Sequence, residues 1–120
     1  MKFVILRKPT CMFRPEKNRY HMWDGYAQSK CNFRIDLLEQ IKSQPPLEKP
    51  VIISVTFYLE PTVKNKKTSL LNMYRFVNNI LCGILYKRDT LIHDIKLYKK
   101  YDKQPRTEII IELKEDSENQ

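Results

Sequence analysis

The most constraining feature of the sequence is an apolar segment with helical periodicity that lies between two basic clusters. Apolar side chains recur at i, i+3, i+4 and i+7 spacing from Leu70 to Ile84, which predicts a helix capped by Thr68 or Ser69. Three further apolar residues fall outside that stripe: Leu71, Phe76 and Leu85. Because a helix that is apolar on more than one side needs more than one neighbour, we expect it to pack on a sheet and against a second subunit.

The charge around this predicted helix is positive. Between Pro61 and Arg88 there are six basic residues and no acidic one: Lys64, Lys66, Lys67, Arg75, Lys87 and Arg88. Basic side chains before, within and after one helix suit a polyanion such as DNA, because each can neutralise a backbone phosphate. Asp89 follows directly, and a single carboxylate beside bases is either a candidate metal ligand or half of a surface ion pair.

The uneven distribution of charge narrows the choice of partner. The sequence has 22 basic and 14 acidic residues, for a formal net charge of +8. Residues 108–120 hold five acids and one base, so the rest of the chain has 21 bases, 9 acids and a charge of +12. A basic body with an acidic tail favours nucleic acid over an acidic protein as partner. A lysine-rich solvated surface is the alternative interpretation.

The remaining segments predict a small α+β domain. Four short runs have the composition or alternation of strands: Phe3–Leu6, Val51–Leu59, Leu91–Tyr98 and Thr107–Leu113. A first helix is predicted from about Ala27 to Ser43, and it is ended by the proline-rich segment Gln44–Pro50. The order β-α-β-α-β-β predicts a small mixed sheet with both helices packed on one face.

Two finer structural expectations follow from the same patterns. The turn-forming segment Asp102–Pro105 joins the last two strands, which predicts an antiparallel hairpin. In the first helix, apolar residues at helical spacing predict one buried stripe: Cys31, Ile35, Leu37, Leu38 and Ile41. A single domain is expected over residues 1–114, followed by a frayed acidic tail at residues 115–120.

The cysteines and the apolar runs exclude several classes of protein. Cys11, Cys31 and Cys82 have no CxxC spacing, so neither a zinc site nor a disulfide framework is predicted, and Cys82 is expected in the core. The apolar run near Met1 is too short for a signal peptide, and no segment is predicted to span a membrane. An intracellular, reducing environment is therefore expected.

A polar and aromatic segment without periodicity, Thr10–Asp24, separates the first strand from the first helix. It contains the run Asn18-Arg19-Tyr20, together with Trp23. The segment is either a connection pinned by its aromatic side chains or an arm that faces DNA. Its sequence alone leaves both interpretations open.

Two motifs resemble the RusA-like family of Holliday junction resolvases. Residues 83–92 follow the family pattern Gly-x-x-Tyr-Lys-Asp-Asp-x-x-Ile except at Arg88, and Asn18-Arg19-Tyr20 matches a typical Asn-Arg-Tyr. The resemblance covers most of the chain from Asn18 onward. It implies a small homodimeric, magnesium-dependent endonuclease of the kind found in phages and prophages.

The catalytic motifs of this family have diverged in the chain. The positions of the family's Asp-x-Asp-Asn-x-x-Lys motif fall, in order, on Ser69, Leu71, Asn72 and Arg75, so only the asparagine is kept. In the second motif, Arg88 replaces the first aspartate and Asp89 keeps the second. Asp89 is therefore the one catalytic and metal-binding carboxylate that the resemblance still assigns.

A magnesium site built on Asp89 needs further oxygen ligands. Magnesium prefers an octahedral shell of oxygen atoms, in which it activates water for phosphodiester hydrolysis. Leu71 has no ligand atom, Ser69 has only a hydroxyl, and a positive charge at Arg88 repels the ion. Glu60 or Asp94 could replace the missing carboxylates if the fold brings them near Asp89.

Three functions are compatible with this pattern. The first is a RusA-like protein that binds junction or duplex DNA, with cleavage lost or impaired. Its predicted DNA-binding residues are Lys64, Lys66, Lys67, Asn72, Arg75, Lys87, Arg88, Asn18, Arg19 and Tyr20. The second is an active resolvase that uses magnesium, and the third is a non-enzymatic subunit that binds another protein. A homodimer that does not associate with membranes is expected.

Overall fold

The computed structural model describes residues 1–12 and 25–114, and these form a mixed α+β domain. The elements are β1 (Lys2–Ile5), α1 (Ala27–Ile41), β2 (Val51–Leu59), α2 (Val63–Lys66), α3 (Leu70–Leu81), a 3-10 turn (Asp89–Leu91), β3 (Ile92–Tyr101) and β4 (Arg106–Leu113). The predicted fold class and element order are confirmed, with α2 and the 3-10 turn as additions. The predicted arm Asn18-Arg19-Tyr20 and the acidic tail 115–120 lie outside the described residues.

The sheet has four strands in the order β1-β4-β2-β3, so β2 lies at its centre beside β4. β2 pairs with β3 in parallel and with β4 antiparallel. Every second residue of β2 is buried: Val51, Ile53, Val55, Phe57 and Leu59. This alternation buries one face of the sheet and leaves the other half-exposed, as the pattern of this segment predicts.

The predicted hairpin between the last two strands is wrong. β3 and β4 are consecutive in the sequence and antiparallel in direction, but β2 lies between them and pairs with both. The four residues from Asp102 to Pro105 can cross one intervening strand, because neighbouring strands are only about 4.8 Å apart. The apolar side chains of β2 gain more burial at the centre of the sheet than at an edge, and this non-local pairing overrides the local turn.

Both long helices pack on the buried face of the sheet, as predicted. Phe33 of α1 and Phe76 of α3 meet edge to face, with ring centroids 5.9 Å apart. Gln40 of α1 fixes the helix to the free edge of β1: its side chain accepts a hydrogen bond from the Val4 N–H and donates one to the Val4 carbonyl, at 3.0 and 2.7 Å. The core therefore lies between the sheet and the two helices.

The buried stripe of α1 differs from the prediction. The buried residues are Phe33, Leu37 and Ile41, which recur at i, i+4 and i+8. Cys31 is exposed, and Ile35 and Leu38 are 49% and 52% exposed. Since α1 has apolar residues on two sides, periodicity alone did not decide which side faces the sheet. The aromatic contact of Phe33 with α3 decides it.

The helix α3 is shorter than predicted, and it is covered within the chain. It ends at Leu81, so Cys82 is exposed and the prediction of a core cysteine is wrong. Of the three apolar residues outside its main stripe, Phe76 is buried beside α1 and Leu85 is buried in the turn that follows α3. The expected second subunit is therefore not needed to cover this helix. Leu71 is 67% exposed.

Candidate nucleic-acid interface

The first basic cluster lies on a single helical turn, α2, and directly after it. Thr62 caps this turn, because its Oγ1 accepts a hydrogen bond from the Asn65 N–H at 3.1 Å. The buried Asn65 donates from Nδ2 to the Glu60 carbonyl at 2.9 Å. Lys99 of β3 donates to the carbonyls of Lys66 and Thr68, both at 2.8 Å. These contacts fix the backbone that carries three exposed lysines: Lys64, Lys66 and Lys67.

The first turn of α3 carries the positions with which the resemblance aligns the family's aspartate motif. Ser69 caps the helix as predicted, because its Oγ accepts a hydrogen bond from the Asn72 N–H at 3.2 Å. Leu71 and Arg75 are exposed on the outer side of the helix, one turn apart. The Asn72 carbonyl accepts a hydrogen bond from the Met12 N–H at 3.0 Å. The N-terminal segment up to Met12 is thereby held beside this turn.

A tight turn follows α3, and it accounts for the glycine and the tyrosine of the second motif. Gly83 has a φ of +95° and donates its N–H to the Tyr86 carbonyl at 2.7 Å. A positive φ of this size favours glycine, because a Cβ would strain the backbone. The connector before β2 holds the turn through two backbone hydrogen bonds. The Leu47 N–H donates to the Leu85 carbonyl, and the Leu47 carbonyl accepts from the Lys87 N–H, both at 2.9 Å.

The buried side chain of Tyr86 fixes where Asp89 lies. The Tyr86 hydroxyl donates a hydrogen bond to Asn78 Oδ1 and interacts with the Tyr74 hydroxyl, so it is anchored to α3. Burial raises the pKa of both tyrosines, and the nearby negative charge of Asp89 raises each pKa further. Asp89 therefore lies on the side of α3 that carries Tyr74.

The second basic cluster is partly neutralised by a residue that the sequence analysis did not identify. Lys87 Nζ forms an ion pair with Glu48 Oε1 at 2.8 Å. This contact lowers the pKa of Glu48, and the positive charge of Arg88 contributes to the same shift. Both partners of the ion pair are mostly exposed, so its contribution to stability is small. Only the backbone pairing of Leu47 brings Glu48 here, and no local motif signals it.

The Asp89 carboxylate is exposed and isolated. Within the part of the chain that the structure describes, it has no ion pair and no hydrogen bond from a side chain. The side chains at the other family carboxylate positions cannot complete a metal shell. Leu71 is apolar, Arg88 is cationic, and the Ser69 hydroxyl caps α3.

Glu60 and Asp94, the two carboxylates considered as further ligands, lie elsewhere. Asp94 pairs with Ile52, whose side chain lies on the sheet face opposite the helices. Glu60 follows the last residue of β2, whereas Asp89 precedes β3 at the end of the sheet where β2 begins. Among residues 1–12 and 25–114, no three His, Cys, Asp or Glu side chains are grouped so as to hold a metal. The side chains of these described residues do not fit a magnesium ion.

The model of the family Endodeoxyribonuclease RusA matches residues 7–112. The chain belongs to the RusA family. RusA proteins are DNA-junction nucleases that act as dimers and generally depend on magnesium. The comparison with curated proteins found no match for the chain. Within the described residues, no helix is long and apolar enough to cross a membrane.

The predicted site residues can now be placed in the fold of this RusA-family protein. The described basic residues that were predicted to bind DNA lie on α2 and directly after it, on the outer side of α3, and in the turn that follows α3. Asn72 is half-buried on α3 beside Met12, and Asp89 begins the 3-10 turn. Sequence reasoning missed the two groups that orient this surface, Glu48 and the Lys99 ammonium.

Proposed function

We propose that this RusA-family protein binds junction or duplex DNA and does not cleave it. The observation that carries the proposal is the isolation of Asp89 among the described residues, where no three His, Cys, Asp or Glu side chains are grouped to hold a metal and position 88 is an arginine. One carboxylate next to cationic groups offers a magnesium ion too little negative charge and too few oxygen ligands. The basic residues on the same side of the sheet remain available to phosphate.

The binding surface is suited to backbone contact rather than to base readout. Lys64 and Lys66 are exposed on α2, Lys67 is exposed directly after it, and Arg75 is exposed on α3, so their charged groups can reach phosphates. Contacts with phosphates fix the position of a protein on DNA but carry no direct sequence information. Binding that depends on salt and little on sequence is therefore expected.

The exposed Leu71 does not form the apolar patch that a protein partner would need. It stands beside the exposed Arg75 on the outer side of α3, and the lysines of α2 lie before the same helix. A protein-binding site of useful size requires a contiguous apolar surface. The surroundings of Leu71 favour DNA over a protein partner.

Asp89→Asn tests this proposal, because the change removes a negative charge from the binding surface and leaves the shape of the side chain. We expect affinity for a four-way junction in magnesium-free buffer to stay the same or to rise by about threefold, since less charge repels phosphate. The measurement is a mobility-shift titration. Asp94→Asn is the matched control, because it makes the same charge change on the opposite face of the sheet. A tenfold loss of affinity in Asp89→Asn alone would contradict the proposal.

We further propose that the protein is a homodimer, as RusA proteins are, and that the exposed side of α1 forms its interface. Ile35 and Leu38 lie one turn apart and remain about half exposed, although they are apolar. Ile35→Glu combined with Leu38→Glu should convert the dimer to a monomer at micromolar concentration, measured by light scattering. Leu6→Glu, at an exposed apolar residue after β1, should leave the mass unchanged. A monomeric mass for the unmodified protein would refute the proposal.

A further inference from the structure

The sheet face opposite the helices is not covered by any described helix or strand. The side chains of β2 that lie on this face are half-exposed, in alternation with the fully buried ones. The strand register shows which residues of β1, β3 and β4 lie on the same face. We refer to it as the open face, and it comprises Lys2, Val4, Ile52, Ser54, Thr56, Tyr58, Asp94, Lys96, Tyr98, Lys100, Arg106, Glu108, Ile110 and Glu112.

The charges on the two halves of the open face differ. On the half formed by β1 and β4, acids and bases neutralise each other: Glu108 pairs with Lys2 at 3.4 Å and with Arg106 at 2.7 Å. The half formed by β2 and β3 has two exposed lysines, Lys96 and Lys100. Its one acid, Asp94, lies beside Ile52 at the start of the strands. The rest of this half is therefore basic.

Two tyrosines lie within that basic half. Tyr98 pairs with Thr56 across the strands and is 43% exposed, between Lys96 and Lys100 on the same strand. Alternate residues of a strand are about 6.6 Å apart, so the ring has a lysine on each side within reach. Lys100 Nζ lies 5.7 Å from the centroid of the Tyr98 ring.

The second ring, Tyr58, is already stacked. The Arg106 guanidinium lies 3.7 Å from the centroid of the Tyr58 ring and is held by Asp102 and Glu108, both at 2.7 Å. This fixed pair borders Tyr98 at one end of the open face. The Tyr98 ring has a looser partner, because the Lys100 ammonium lies over it at the longer distance of 5.7 Å, and a ligand that stacks on this face displaces that flexible side chain.

We propose that the open face binds single-stranded DNA, with an unpaired base stacked on Tyr98 and the backbone held by Lys96 and Lys100. Aromatic rings on a basic surface bind single strands in this way, since every base has a π-face. Duplex DNA cannot stack a base on Tyr98 in this way, because its bases are already stacked on each other. The open face lies on the other side of the sheet from α2 and α3, so this site is separate from the proposed junction interface.

Titration of a thymidine oligomer of about 12 nucleotides tests the proposal, since that length is within the range of known single-strand sites. Tyr98→Leu should weaken binding by roughly 5- to 100-fold, as expected for the loss of one stacked base. Tyr98→Phe should bind like the unmodified protein, because it keeps the ring. The matched control is Tyr101→Leu: Tyr101 is 42% exposed on the same strand but lies on the helix side, opposite Leu59.

Two readouts separate this proposal from the junction interface and from a loss of folding. Tyr98→Leu should leave four-way junction binding unchanged, so the two sites can fail independently. In the unmodified protein, the oligomer should shift the amide resonances of Ser54, Thr56 and residues 96–100. Shifts confined to α2 and α3, or equal affinities of Tyr98→Leu and Tyr101→Leu, would overturn the proposal.

Discussion

Replacing Lys64, Lys66 and Lys67 together with alanine is expected to weaken junction binding by roughly 10- to 100-fold at 0.1 M salt. Each lysine that contacts a phosphate releases counterions, so removing three should make the slope of log K against log salt shallower by about 2 to 3. The fold should tolerate the change, because all three side chains are exposed and the contacts that hold α2 come from Thr62 and Asn65. Mobility-shift titrations at several salt concentrations measure both quantities.

The control for this variant removes the same kind of charge from the opposite side of the sheet. Lys96→Ala combined with Lys100→Ala should leave junction affinity within about twofold of the unmodified protein, because distant exposed charges are screened. Its effect should be confined to single-stranded DNA. Equal losses of junction affinity in the two variants would show that the α2 lysines act only through the net charge of the protein.

Rebuilding the carboxylates is expected to create a magnesium site where the unmodified chain has none. The variant combines Ser69→Asp, Leu71→Asp and Arg88→Asp. Each change suits its position: aspartate is as good an N-cap as serine, and Leu71 and Arg88 are exposed. Magnesium at ten times its Kd should then stabilise the variant by about 1.4 kcal/mol, measured by thermal unfolding, and should leave the unmodified protein unchanged.

The matched control for the rebuilt site places asparagine at the same three positions. Asparagine has nearly the shape of aspartate but no charge, so it should give no stabilisation by magnesium and no nicking of a four-way junction. The aspartate variant should nick the junction when magnesium is present. An aspartate variant that neither binds magnesium nor nicks DNA would show that the diverged positions are not what prevents cleavage.

Local sequence determined some elements, and these were predicted well. The strand Val51–Leu59 has the same bounds in the structure, because its apolar residues alternate between two prolines. Ser69 caps α3 as expected, since an N-cap depends on contacts within one helical turn. The pairing of β3 with β2 was missed, because it joins segments that are far apart in the sequence and is decided by burial at the centre of the sheet.

The candidate site shows the same division between local and non-local information. The motif from Gly83 to Ile92 gave the resemblance to the family, and in the structure Gly83 and Tyr86 hold the turn at its start. The pairing of Glu48 with Lys87 depends on the connector before β2, which no motif indicates. Whether Asp94 could join Asp89 depended on strand register, and the register places Asp94 on the open face.

Incubation of the unmodified protein with a four-way junction, in magnesium and separately in manganese, shows whether the protein binds the junction without cleaving it. Denaturing electrophoresis of the end-labelled strands measures nicking, and a mobility shift on the same sample shows that the junction is bound. The account predicts a bound and intact junction with either ion. Metal-dependent nicking that is abolished by Asp89→Asn would contradict it and would identify the protein as an active resolvase.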